Sequence, residues 1–203
     1  MTLTLDQGRT IVSIARERLD SFVRSGGVEE GSENGEAYMR ENRGVFVTLN
    51  MVGSGVENLR GCIGIPYPVK QLGSALLESA IAAASEDPRF PPVTSEELDS
   101  VVVEVSVLTV PQELKVAKNE DIPSQIQIGK DGLIVSDEFH SGLLLPQVAT
   151  EFSLGASDFL SAACMKAGLL PDAWLTGGVS VKKFQAEIFA EERPHGPVRR
   201  LMF

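Results

Sequence analysis

Hydrophobic and polar positions change period several times along the chain, and each change marks an element. Leu5, Ile11, Val12, Ala15, Leu19 and Phe22 recur at helical intervals behind Thr4 and Gln7, which have the spacing of a capping box. Gly26 and Gly27 are expected to end that helix. Residues 25–43 are polar and glycine-rich and read as a surface excursion holding at most a short helix. "GVFVTLNMV" (44–52) alternates as a strand. "GSG" at 53–55 then predicts a turn that returns the chain through "VENLRGCIGI" as an antiparallel partner.

An alanine- and leucine-rich helix is expected over 69–86, stopped by "DPRFPPV", because a residue before proline is pushed out of helical geometry. Thr94 and Glu97 cap a short helical turn before the strand "SVVVEVSVLTV" (100–110). "IQIGKDGLIV" (126–135) reads as a hairpin around Gly129 to Gly132, and "GLLLP" as a further strand. "ASDFLSAACMKAG" (156–168) reads as a helix closed by Gly168, and "VSVKKFQAEIFAEE" as a late strand. Helices and strands are interspersed, but hairpins are frequent. That pattern favours an α+β fold with mainly antiparallel sheets flanked by helices over a doubly wound one.

Composition narrows the function. A chain of 203 residues with 43% hydrophobic positions can bury a sizeable core, as one domain or as two small lobes. With 28 acidic against 18 basic residues it has no general attraction to a phosphate backbone, which argues against nucleic acid as a general partner. Two cysteines make no disulfide framework, and the N-terminus has no signal-peptide core. The most apolar runs are interrupted by Glu78 and Glu104 and fall short of the roughly 20 residues that span a bilayer. The expectation is a soluble, cytoplasmic protein.

"NLRGCIGIP" (58–66) is the most chemically loaded stretch. Strand periodicity puts Leu59, Gly61, Ile63 and Ile65 on a core face, and Arg60, Cys62 and Gly64 on the other. A guanidinium two residues from a thiol favours thiolate and would lower the cysteine pKa from about 8.5. Gly64 beside them leaves room for a ligand or another backbone to approach. The competing reading is a buried cysteine acting as a small hydrophobe, with glycines that mark a bulge or tight packing. "DPRFPP" holds Asp87, Arg89 and Phe90 on a proline-stiffened loop, either to bind a polar ligand or as an Asp–Arg lock plugged by Phe90. A base for Cys62 would have to be His140 or His195, brought in by the fold. Asp137, Glu138 and His140 lack a metal-ligand spacing, and "GSG" is not followed by a phosphate-loop pattern, so neither metal nor cofactor is expected.

"LRGCIG" (59–64) resembles the hallmark hexapeptide of the AMMECR domain family. "EDPRFPPVTSEEL" (86–98), "VEVSVLT" (103–109), "GKDGLIV" (129–135), "GLLLPQVATE" (142–151) and "FLSAACMKAGL" (159–169) with "AW" (173–174) resemble its further blocks, in the family's order. The resemblance covers roughly residues 8–192. It implies a single domain over 1–203 made of two lobes, the larger holding both termini, with a cleft between them. It implies that Arg60, Gly61, Cys62 and Gly64 belong to a functional surface, and that Gln147 and Trp174 lie in family blocks, Gln147 as a ligand contact or a packing residue and Trp174 as packing at the lobe junction. It further implies association with Memo-like and radical SAM proteins, the prokaryotic members being called the A component of that group. "EFSLGASDF" (151–159) departs from the tryptophan-containing pattern of the family there.

Two functions are therefore expected in order. The first is an adaptor or ligand-binding component whose cleft around "LRGCIG" takes a partner peptide or a small polar ligand, with Arg60, Gly61, Gly64, Asp87, Arg89 and Gln147 as contacts. The alternative is an enzyme acting on a small polar or nucleotide-like substrate, with Cys62 as nucleophile or thiolate contact.

Overall fold

A computed structural model of the chain describes residues 2–26, 36–53 and 56–201. In chain order the helices are α1 (Leu5–Ser25), α2 (Leu72–Ser85), α3 (Pro146–Glu151), α4 (Ala156–Lys166) and α5 (Ala173–Thr176). The strands are β1 (Val45–Gly53), β2 (Val56–Ile65), β3 (Val101–Leu108), β4 (Gln112–Glu113), β5 (Asp131–Ser136), β6 (Ser141–Leu144), β7 (Ser180–Glu191) and β8 (Val198–Leu201). Every strand pairing resolved residue by residue is antiparallel, and the class is α+β. No helix among the described residues is long and apolar enough to cross a membrane.

The chain divides into two compact units, residues 1–108 with 187–202, and residues 109–186; the division falls inside β7. In the first unit β1 lies between β2 and β3, β3 neighbours β7, and β8 pairs with Ile188–Glu191 at the end of β7. Val45, Val47 and Leu49 on β1 sit opposite Val107, Val105 and Val103 on β3, and all six are fully buried. This alternation gives the sheet one apolar face, which joins the buried Ile11, Val12, Ala15 and Leu19 of α1 and Leu72, Leu76, Ala80 and Ala83 of α2 in one core. α1 begins as the sequence predicts: Thr4 Oγ1 accepts from the Gln7 amide at 3.2 Å while Gln7 Oε1 accepts from the Thr4 amide at 2.8 Å. Gly26 ends the helix in the left-handed region at φ 64°. The expected excursion over 25–43 includes a 3-10 turn at Ala37–Arg40, while its residues 27–35, and Ser54 and Gly55 of the expected turn, lie outside the described residues.

In the second unit β7 pairs with β5 on one side and β4 on the other, and β5 pairs with β6. Leu133, Val135, Ala149, Phe159, Leu160, Ala163, Cys164, Trp174 and Val181 share its core. The hairpin expected over 126–135 does not form. Residues 127–130 make a turn in which the Lys130 and Asp131 amides donate to the Gln127 carbonyl, and β5 then finds its partners in β6 and β7. The buried Asp131 carboxylate holds this arrangement, accepting from the Gln127 amide at 2.9 Å, from Lys183 Nζ at 3.1 Å and from Gln185 Nε2 at 3.0 Å.

Candidate functional site

The β1–β2 register carries one irregularity, and it decides how "LRGCIG" is presented. Leu49 pairs with Gly61 but Asn50 pairs with Leu59, so Arg60 is an extra residue in β2, a β-bulge. Simple alternation is therefore broken. Leu59, expected on the core face, stands with Asn50 on the opposite face and is 41% exposed. Gly61, Ile63 and Ile65 keep the core side, where Ile63 and Ile65 pack against the buried cluster. Cys62 lies opposite Thr48, and Thr48 opposite Glu104, so these three side chains form one row across the outer face of the sheet.

The bulge sends Arg60 away from the thiol. Its Nε and Nη2 grip the Glu97 carboxylate at 2.7 and 2.9 Å, and Nη1 and Nη2 donate to the carbonyls of Pro91 and Pro92 at 2.9 and 3.3 Å. The hydrogen bonds from Arg60 hold the Glu97 carboxyl below its ordinary pKa. The same carboxylate accepts from the Thr94 amide at 2.8 Å, closing the turn over 94–97, while the 3-10 turn Leu98–Ser100 that follows has no side-chain cap. Arg60 is thus a pin between β2 and residues 91–97, with a fork geometry that a carboxylate matches.

The expectation that Arg60 poises Cys62 as a thiolate is corrected. Burial pushes the Cys62 thiol above its ordinary pKa, and Glu104 and Asp87 add to the rise. The Thr48 hydroxyl, which donates to Sγ at 3.3 Å, and the charge of Arg89 oppose it without prevailing. Cys164 is fully buried in the second unit, and burial raises its pKa as well.

Asp87 and Arg89 meet Cys62 through its backbone. The Cys62 amide donates to Asp87 Oδ2 at 2.8 Å, and its carbonyl accepts from Arg89 Nη2 at 3.4 Å. The two side chains lock on each other at 2.9 and 2.6 Å, and Asp87 Oδ1 also accepts the Arg89 amide. That pairing holds the Asp87 carboxyl far below its ordinary pKa. Asp87 is 4% exposed, while the Arg89 side chain is 53% exposed. Phe90 lies near both arginines, its ring centre 5.9 Å from the Arg60 guanidinium and 5.5 Å from that of Arg89. The "DPRFPP" loop thus supplies the lock.

Both glycines of the motif approach their own chain. A Cβ on Gly61 would overlap the Ala83 carbonyl oxygen of α2, and one on Gly64 would overlap the Phe46 ring and the Val45 carbonyl oxygen. Gln147 lies on α3 in the second unit, its Oε1 buried without a hydrogen-bond partner among the described residues. His140 is engaged by Asp137, its Nδ1 3.1 Å from both carboxylate oxygens, and Trp174 is buried in the core of the second unit. No group of three or more possible metal ligands occurs among the described residues. Sequence reasoning missed Thr48 and Glu104 as neighbours of Cys62. Glu104 left a signal, as the one charge in the run Val101–Leu108.

A bulged β2 edge clipped by an Asp–Arg loop, in an α+β chain of two compact units, defines the class of this protein by its architecture. The chain belongs to the AMMECR1 family, whose model matches residues 12–189. It is 50% identical over 194 residues to a protein of Thermococcus gammatolerans, covering 95% of this chain and 94% of that one. A protein of Methanothermobacter thermautotrophicus is 51% identical over 190 residues, covering 94% and 97%. The crystal structure of the uncharacterized protein PH0010 from Pyrococcus horikoshii matches with a TM-score of 0.88 at 45% identity, over 97% of both chains.

Proposed function

We propose that this protein is a non-catalytic binding component, an adaptor whose outer sheet face around Cys62 receives a segment of a partner protein. The observation that carries this reading is the setting of Cys62: half-buried beside Thr48, its thiol pushed up by burial, with Arg60 committed to Glu97. A nucleophilic cysteine needs thiolate at working pH. The half-exposed Arg89 and the polar Thr48, Asn50 and Glu104 on the same face suit contacts with an extended peptide. Family resemblance makes Memo-like and radical SAM proteins the partners to test first.

The test is the alkylation rate of Cys62 against pH, joined to copurification with those two partners. The adaptor reading expects slow alkylation that rises only above pH of about 8.5, slowed further when a copurifying partner covers this face. A Cys62 titrating well below that value, or turnover of a small polar or nucleotide-like substrate by the isolated protein, would overturn it in favour of the enzyme.

A further inference from the structure

The outer face of the first unit's sheet carries its charges in a fixed order. Thr48 on β1 lies opposite Cys62 on β2 and opposite Glu104 on β3, so the three side chains share a row that crosses the strands. Neighbouring strands lie about 4.8 Å apart, which puts Glu104 about 10 Å from Cys62 along that row. Beyond Cys62, at the edge of β2, stands the Arg89 guanidinium, its Nη2 3.4 Å from the Cys62 carbonyl oxygen. Asp87 takes Nε and Nη2 of Arg89, while Nη1 makes no hydrogen bond among the described residues. Asp87 is the buried member of that pair, so the charge it leaves facing solvent is the positive one. At the other end Glu104 is partly buried, and its neighbours on the same face, Val102 and Ser106, are fully so. The row is therefore polarised, positive at the sheet edge, uncharged over Cys62 and Thr48, and negative on β3.

We propose that this row selects the partner segment by charge: an extended peptide lies across it with an acidic side chain on Arg89 and a basic one on Glu104. The inference rests on the adaptor reading and names the chemistry of the segment that reading places here. Side chains two residues apart in an extended chain share a face with Cα atoms about 7 Å apart, and the reach of glutamate and lysine side chains covers the rest of the span. Nη1 of Arg89 offers two N–H donors to a carboxylate. A carboxylate has about four acceptor sites, so Glu104 keeps room for an ammonium beside the interaction it has within the fold. A small neutral residue between the two charges passes over Thr48 and Cys62. A purely anionic ligand would meet Glu104 as a like charge, so the row discriminates against it.

The test measures binding of three blocked tripeptides to the full chain through shifts of its amide NMR signals. The parent is acetyl-Glu-Gly-Lys-amide, and the other two carry Gln in place of Glu or of Lys. Each single-charge peptide is expected to bind about threefold to tenfold more weakly than the parent, the range for a partly exposed pair of charged groups. Glu104→Gln should abolish the advantage of Lys over Gln and keep that of Glu, and Arg89→Gln should do the reverse. Added salt should shrink both advantages. Glu104→Gln keeps the shape of the side chain, so its arm decides the matter even where Arg89→Gln loosens the lock on Asp87. Equal affinity for the three peptides, an advantage that survives in the matching variant, or no shift at the Thr48, Cys62 and Glu104 amides overturns the proposal. The adaptor reading fails separately, through a low titration of Cys62 or through turnover, neither of which depends on these peptides.

Discussion

The Cys62 amide donates to the Asp87 carboxylate at 2.8 Å, and this bond closes an otherwise open backbone group on the outer edge of β2. Edge strands present unpaired donors and acceptors that invite other chains, and here a loop side chain takes the place of a neighbouring strand. Asp87→Ala strips the Cys62 amide and the Arg89 guanidinium of a buried, charged acceptor. A loss of about 2–3 kcal/mol in urea denaturation is expected, the cost of orphaning charge-assisted hydrogen bonds.

The same carboxylate predicts a pH dependence. Its folded-state pKa is depressed, chiefly by the hydrogen bonds from Arg89, so its contribution is present above the unfolded-state value of about 3.9 and is lost as pH falls below it. The stability gap between wild type and Asp87→Asn should stay constant from pH 8 to about pH 5 and narrow below about pH 4. A gap that narrows near neutrality would show that another group is responsible.

Arg60→Lys separates the structural role of Arg60 from electrostatic tuning of the thiol. Lysine cannot reproduce the fork on Glu97 together with the Pro91 and Pro92 carbonyls, so a destabilisation of about 1–3 kcal/mol is expected. The pH profile of Cys62 alkylation should not move. Arg89→Gln should shift it upward instead, since Arg89 is the cation whose charge lowers the Cys62 pKa.

Much of the scaffold is legible in the sequence because it rests on local signals. The Thr4–Gln7 capping box, the β1–β2 pairing and the stop at "DPRFPP" are all written within a few residues. The site is less legible. One extra residue at Arg60 reverses the face of Leu59; the strand glycines allow for a bulge but do not say at which residue it falls. Arg60 and Glu97 are 37 positions apart, so their pairing exists only in the fold. The 126–135 stretch misleads for a related reason. Its glycines resemble a hairpin turn, while the partners of β5 come from 141–144 and 180–185.

Gly61 offers a test of close packing. A methyl at this position meets the Ala83 carbonyl oxygen, a backbone atom that cannot swing aside. Gly61→Ala is therefore expected to cost about 1–3 kcal/mol, the range for overpacking a core. Ala83→Gly should not rescue it, because the obstructing oxygen remains. Recovery of stability in that double variant would show that the side chain, not the backbone of α2, sets the limit.

The buried Arg16–Glu191 pair gives a prediction in which two changes are better than one. Arg16 Nη2 reaches Glu191 Oε2 at 2.5 Å and Nε reaches Oε1 at 3.0 Å, while Oε2 also accepts the Val103 amide at 3.0 Å. Arg16→Met leaves an unpaired carboxylate 4% exposed, and a loss of about 3–5 kcal/mol is expected from an uncompensated buried charge. Adding Glu191→Gln removes the charge but keeps a carbonyl oxygen for the Val103 amide, so the double variant should be more stable than Arg16→Met alone. In Glu191→Gln alone the guanidinium keeps Asp20 and the carbonyls of Leu98 and Val101, so that chain should lose less stability than Arg16→Met. Urea midpoints for the four chains measure the coupling directly. A strictly additive cycle would mean that the two charges stabilise the fold independently, and that the pair contributes nothing as a pair.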